Sequence, residues 1–228
     1  MTGVRYPFAA PDGDTTREEL VRSTAAKAAE SAELRLRVLD GLGPALAACA
    51  RAMAAAFRAG GTLLTFGNGG SSTDAQAVAQ LFLTPGRGGR RLPAISLTGD
   101  SALLTALAND VHFDVVFARQ LAALGRRGDI AVALSTSGGS ANVLLGLEAA
   151  RRAGMVTVGF AGSGGGRMAA DALADHLFVV PSSSVHRVQE AQATLCHVLW
   201  ELVQRAMDGA ASDGAAPGGA GPRGTGGV

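Results

Sequence analysis

The sequence predicts a doubly wound α/β fold: a five-stranded parallel sheet flanked by helices, with a helical extension ahead of it. Three observations carry the prediction. From residue 62 onward, short apolar runs of five to seven residues alternate with helical stretches. The runs are apolar throughout rather than alternating, as strands covered on both faces must be. Gly- and Ser-rich loops follow the first and third runs, at the strand ends where such sheets take ligands.

Residues 1–14 are expected to be loose, with Thr15 or Thr16 as an N-cap ahead of Glu18 and Glu19. Two helices should follow, over 16–40 and 43–59, broken by Gly41, Gly43 and Pro44 and ended by Gly60 and Gly61. The strands are expected at 62–66, 93–98, 129–135, 155–161 and 176–180. Between them, helical periodicity falls near 73–83, 101–109, 111–124, 140–153 and 166–173, and a last long helix follows. A single domain over 15–208 is thus predicted, and residues 209–228, mostly Gly, Ala and Pro, read as a disordered tail.

Composition narrows the chemistry. The 228 residues carry 20 basic and 19 acidic side chains, a net charge of +1 that argues against electrostatic binding to nucleic acid or to a membrane surface. Hydrophobic residues make up 47% but aromatics only 4%, so the core must be aliphatic and closely packed. Lys27 is the only lysine and has no Gly-rich surroundings, which excludes a P-loop and a pyridoxal phosphate or Schiff-base site. Cys49 and Cys196 are far apart in sequence and form no Cys-x-x-Cys pair. With no signal pattern and no apolar run near the roughly 20 residues of a membrane span, a cytoplasmic protein is expected.

The two loops carry the binding signal. The first, Gly67-Asn68-Gly69-Gly70-Ser71-Ser72-Thr73-Asp74, combines a tight turn with hydroxyls at a helix start. The second, Ser135-Thr136-Ser137-Gly138-Gly139-Ser140, places four hydroxyls within six residues ahead of another helix. A phosphate monoester would satisfy both without any lysine. Helix capping by Ser137 or Ser140 is the plainer explanation of one loop alone; two such loops favour a ligand. A dinucleotide is disfavoured because Ser72 replaces the third glycine of Gly-x-Gly-x-x-Gly and no acidic residue lies about 20 positions on.

GNGGSSTDA at 67–75, PAISL at 93–97, Asn109-Asp110, GDIAVALSTSGGSANV at 128–143 and RVQEAQATLCH at 187–197 together resemble the SIS (sugar isomerase) domain. The resemblance covers roughly residues 20–207 and is greatest to the branch that isomerises sedoheptulose 7-phosphate. It implies that Ser135, Thr136, Ser137 and Ser140 hold the sugar phosphate, and that Asn68, Gly69, Gly70, Asn109, Asp110 and Gln189 contact the sugar. Ser71 joins them as a hydroxyl at the helix start. It also implies a homotetramer with sites at subunit interfaces, assembled through the leading helices.

The chain departs from the family at its metal and base positions. The isomerases carry a His and a Glu one turn apart after the first loop, and a Gln and a His on the last helix, and many bind zinc through this set. Gln189 and His197 match; Ala77 and Leu81 stand at the other two positions, and a one-residue slip would put Gln76 and Gln80 there. An amide has no useful basicity, so the general base is missing on either alignment. Gln189 and His197 lie eight residues apart, about 12 Å of helix rise, which suggests that different subunits share a site. Zinc is expected to bind weakly or not at all.

On the last helix, Val188, Ala191, Leu195, Leu199 and Leu202 form the core stripe, with His186, Glu190, His197 and Glu201 opposite. His186 and Glu201 read as solvated and His197 as the candidate acid/base; His112 reads as a surface histidine rather than a replacement acid or base, and His176 as uninformative. Two functions remain open at this point: a phosphoheptose isomerase-like enzyme, and a non-catalytic phosphosugar-binding regulator or scaffold like the replication-initiator-associating branch of the family.

Overall fold

The computed structural model describes residues 17–86 and 88–213 of the chain. It opens with helix α1 (Arg17–Arg58), one continuous run of 42 residues through Pro44. The break expected between 40 and 43 is therefore absent. Pro44 costs the helix one backbone hydrogen bond, but Leu34, Val38, Leu46, Cys49, Met53 and Phe57 form one buried stripe across it. Tertiary burial of that stripe outweighs the local preference. α1 also holds an 18-residue window with mean hydropathy 1.2, of which 33% is buried against the core.

The alternation follows. β1 (Leu63–Gly67) leads to α2 (Gly70–Leu83), and β2 (Ala94–Ser96) to α3 (Ser101–Asp110). A 3₁₀ turn at Phe113–Val115 joins α3 to α4 (Val116–Leu124). Then come β3 (Ile130–Leu134), α5 (Ala141–Ala153), β4 (Val156–Gly162), α6 (Gly166–Ala170), β5 (His176–Val180) and α7 (Val185–Asp213). α7 continues past the predicted end at residue 208, while the expected loose ends at 1–14 and 214–228, and the Thr15/Thr16 cap, lie outside the described residues. α2 begins three residues earlier than predicted, so Gly70, Ser71 and Ser72 belong to its first turn rather than to a loop.

All neighbouring strands are parallel, in the order β2-β1-β3-β4-β5. The order reverses direction between β1 and β3, which opens a crevice beyond their C-terminal ends. β1 and β3 are buried along their whole length. Alternate residues feed two cores: Leu63, Ile130, Val132 and Phe160 pack with α1, α2 and α7, while Leu64, Phe66, Ala131 and Ala133 pack with α4 and α5. The predicted stripe on α7 is buried at Val188, Ala191, Leu195 and Leu199; the last member is Val203 rather than the half-buried Leu202.

Candidate functional site

Gly67 of β1 and Leu134 of β3 are register partners, so the loops that leave these strands start side by side. Thr65 fixes the first from beneath by donating its hydroxyl to the Ala75 carbonyl, 2.7 Å. Gly69 caps α2 at φ 55°, a conformation that favours glycine. In the second loop Gly138 is held at φ 63°, and a Cβ there would lie 2.1 Å from the Gly165 carbonyl oxygen. Glycine stands where the backbone must turn and where the start of α6 presses on it.

The loops are tied across the crevice by Asn68 and Asn142. Each amide donates to the other's carbonyl at 2.8 Å. Beside this pair lies a polar cleft of about 90 Å³ lined by Asn68, Ser71, Leu134, Ser135, Thr136 and Ser140. No charged side chain lines it. α2 and α5 both begin at its rim, so the positive ends of their dipoles face the same space, although the Ser71, Ser72 and Thr73 N–H groups already donate to the Asn68 and Gly69 carbonyls.

The hydroxyls divide by role. Ser135 is buried and accepts from the Gly138 N–H at 3.0 Å, Ser137 accepts from the Gly139 N–H at 3.2 Å, and the two hydroxyls lie 3.5 Å apart, so both shape the loop and one O–H of the pair is left to give. Ser140 stands at the N-cap of α5 without a side-chain capping bond. Capping therefore does not explain its presence. Gln192, which the sequence reading missed, is fully buried below and donates to the Ser135 carbonyl at 3.0 Å. The signal for it was an amide within an otherwise apolar stripe.

From the cleft a groove runs between α2 and α7. Gln189 lies against Gly70, where a Cβ would come within 2.1 Å of its Nε2, and donates to Asp74 at 3.4 Å. One turn further, Asp74, Ala77, Val78, Leu81, Ala193, Cys196 and His197 enclose about 40 Å³. Asp74 was overlooked because it reads as one more polar residue of the loop motif. Burial pushes its carboxyl above the usual range, with the Gln189 bond opposing. The exposed His197 ring has Nδ1 against the Ala193 carbonyl at 2.8 Å, which leaves Nε2 for the groove. Burial pushes the Cys49 thiol up to about 12 and Cys196 higher still, so both stay protonated.

A single chain does not bring the whole expected set together. Asn109 and Asp110 end α3 in solvent, where Asn109 donates to Asp110 at 2.8 Å, and neither lines the cleft. His112 is exposed and paired with Asp114 at 3.2 Å. Glu190 turns away from the groove to α1, where Ser31 donates to it and Arg187 and Arg35 flank it. His186 and Glu201 are exposed.

The donor set does not fit a zinc ion. A zinc site takes about four N, O or S ligands. Ala77 and Leu81 offer the groove only alkyl groups, and although Asp74, Cys196 and His197 line the same space, no three His, Cys, Asp or Glu side chains among the described residues are placed to hold a metal ion together. Gln189 and His197 face the same helix, α2, at successive levels, so sharing between subunits is not needed to place them beside one groove.

The chain is similar to known proteins in sequence and in fold. Residues 28–175 match the SIS domain family. The chain is 44% identical over 181 residues to the phosphoheptose isomerase of Roseiflexus sp. (strain RS-1), covering 78% of this chain and 89% of that one. It is 43% identical over 176 residues to that of Aquifex aeolicus (strain VF5), covering 77% and 91%. The structure of the phosphoheptose isomerase from Neisseria gonorrhoeae superposes with a TM-score of 0.76 at 36% identity, covering 82% of this chain and 99% of that one.

Proposed function

The chain belongs to the SIS domain family, and on that premise we propose that it captures a sugar phosphate in the β1–β3 crevice and isomerises it as a phosphoheptose isomerase-like protein. The substrate is sedoheptulose 7-phosphate or a close relative. The Asn68–Asn142 tie carries the reading, because it aims both loops at one cleft. Ser135, Thr136, Ser137, Ser140 and Ser71 receive the phosphate with the first amides of α5. Asn68, Gly69, Gly70 and Gln189 meet the sugar, whose reacting end lies along the groove toward Asp74 and His197.

The isomerisation moves one proton between carbons and one between oxygens. Asp74 takes the proton from C1 as the C1=C2 bond forms, while His197 gives one to the C2 oxygen. His197 then removes the proton from the C1 oxygen, and Asp74 returns its own to C2. Both groups end as they began. Asn109 and Asp110 join from a neighbouring subunit of a homotetramer; the exposed stretch 20–29 of α1, and α3, none of whose residues is buried, are the surfaces that would assemble it. The two buried free thiols suit a reducing, cytoplasmic setting.

Incubation with sedoheptulose 7-phosphate and detection of the aldose tests the enzyme reading; binding without any aldose product overturns it. That outcome would favour the second reading, a non-catalytic phosphosugar sensor or scaffold. The alkyl side chains of Ala77 and Leu81 are the observation on its side.

A further inference from the structure

We infer that the groove between α2 and α7 is closed to a divalent metal by Ala77 and Leu81, and that this chain handles its ligand without one. The inference builds on the sugar-phosphate reading only for placing the groove beside the ligand. Ala77 and Leu81 lie one turn apart on α2 and share a face, so the wall opposite His197 is hydrocarbon at both positions, and its single carboxylate, Asp74, lies a turn before them and accepts from Gln189. A dication there would give up water for alkyl groups and gain too few donors in return.

The neighbouring donors do not repair the deficit. Gln189 sits higher in the groove, against Gly70, with its amide turned to Asp74. His197 holds the Ala193 carbonyl with one nitrogen and has one left. The space of about 40 Å³ is roomy enough for water, so it is the lack of donors and not of room that disfavours a metal. Ala77 is exposed and Leu81 half-exposed, so longer polar side chains fit at both positions without entering the core.

Titration with zinc sulfate alone, followed by calorimetry and by metal analysis after dialysis, tests this without any sugar. The parent chain should show no saturable uptake at one ion per chain. Ala77→His combined with Leu81→Glu supplies two donors and should bind zinc about a hundredfold more tightly than the parent, with the gain lost on adding His197→Ala. One zinc per parent chain, lost on His197→Ala, overturns the inference. So does a double variant with parent-like circular dichroism and melting but no gain in zinc. Single variants at either position provide the same comparison if the pair fails to fold. A failure of sugar-phosphate binding, measured separately, would strike the functional reading and leave the metal result standing.

Discussion

Asn68 and Asn142 sit 74 residues apart in sequence and exchange two hydrogen bonds of 2.8 Å, one amide from each of the two ligand loops. Asn142 is 2% exposed. Each amide uses its nitrogen to donate and its oxygen to accept, so the tie sets the spacing of the loops rather than merely decorating it.

Asn142→Ala leaves the Asn68 amide without its partner and frees the loops from one another. The unpaired group should cost on the order of 1–3 kcal/mol of stability. Affinity for sedoheptulose 7-phosphate should fall as well, because the phosphate must reassemble the cleft as it binds. Denaturant melts and calorimetric titration read the two effects; loss of stability with unchanged affinity would detach the tie from ligand binding.

Asp74 is costly to the fold at neutral pH. Burial raises its pKa above the unfolded value, so the native state binds more protons than the unfolded chain in the window just above the ordinary carboxylate range, and stability falls as pH rises through it. Asp74→Asn removes this dependence. The variant should melt above the parent at pH 7, with the gap narrowing in acid, and should lose turnover while still binding sugar phosphate. A variant that melts higher and turns over normally removes Asp74 from the chemistry.

The seam between α1 and α7 should loosen in acid. Glu190 is held below its ordinary pKa by the Ser31 hydroxyl first, then, against the opposing cost of burial, by Arg187 and Arg35. A depressed carboxylate contributes stability that is present above its unfolded pKa and lost as pH falls through the folded one. Hydrogen exchange in α1 should therefore speed up below the usual carboxylate range in the parent. Glu190→Gln should show fast exchange at every pH; an unchanged profile would mean the seam rests on apolar packing alone.

The sheet was legible because its strands are uniformly apolar, and the phosphate loop because four hydroxyls beside two glycines have few other uses. Pro44 misled, since the buried stripe from Leu34 to Phe57 decides that helix and a local breaker does not. The groove was only half legible. His197 and the alkyl pair at 77 and 81 are visible as a pattern, whereas Asp74 and Gln192 acquire meaning through what packs on them: Gln189 in one case, the Ser135 carbonyl in the other. Asn109 and Asp110 show the opposite limit, a motif that a single chain leaves in solvent.

Ser140 separates a capping role from a binding one. An N-cap serine that bonds the helix typically contributes about 1 kcal/mol, lost on substitution by alanine. Here the side chain makes no such bond, so Ser140→Ala should leave the melting point within the error set by about 0.5 kcal/mol. Its hydroxyl nevertheless lines the cleft, and a hydrogen bond to a charged phosphate is worth roughly 1.5–3 kcal/mol, so affinity should drop by about tenfold or more. Ser135→Ala makes the contrast, because that hydroxyl also accepts from the Gly138 N–H, and its removal should lower stability and affinity together. If Ser140→Ala binds sugar phosphate as the parent does, the phosphate does not sit at the head of α5.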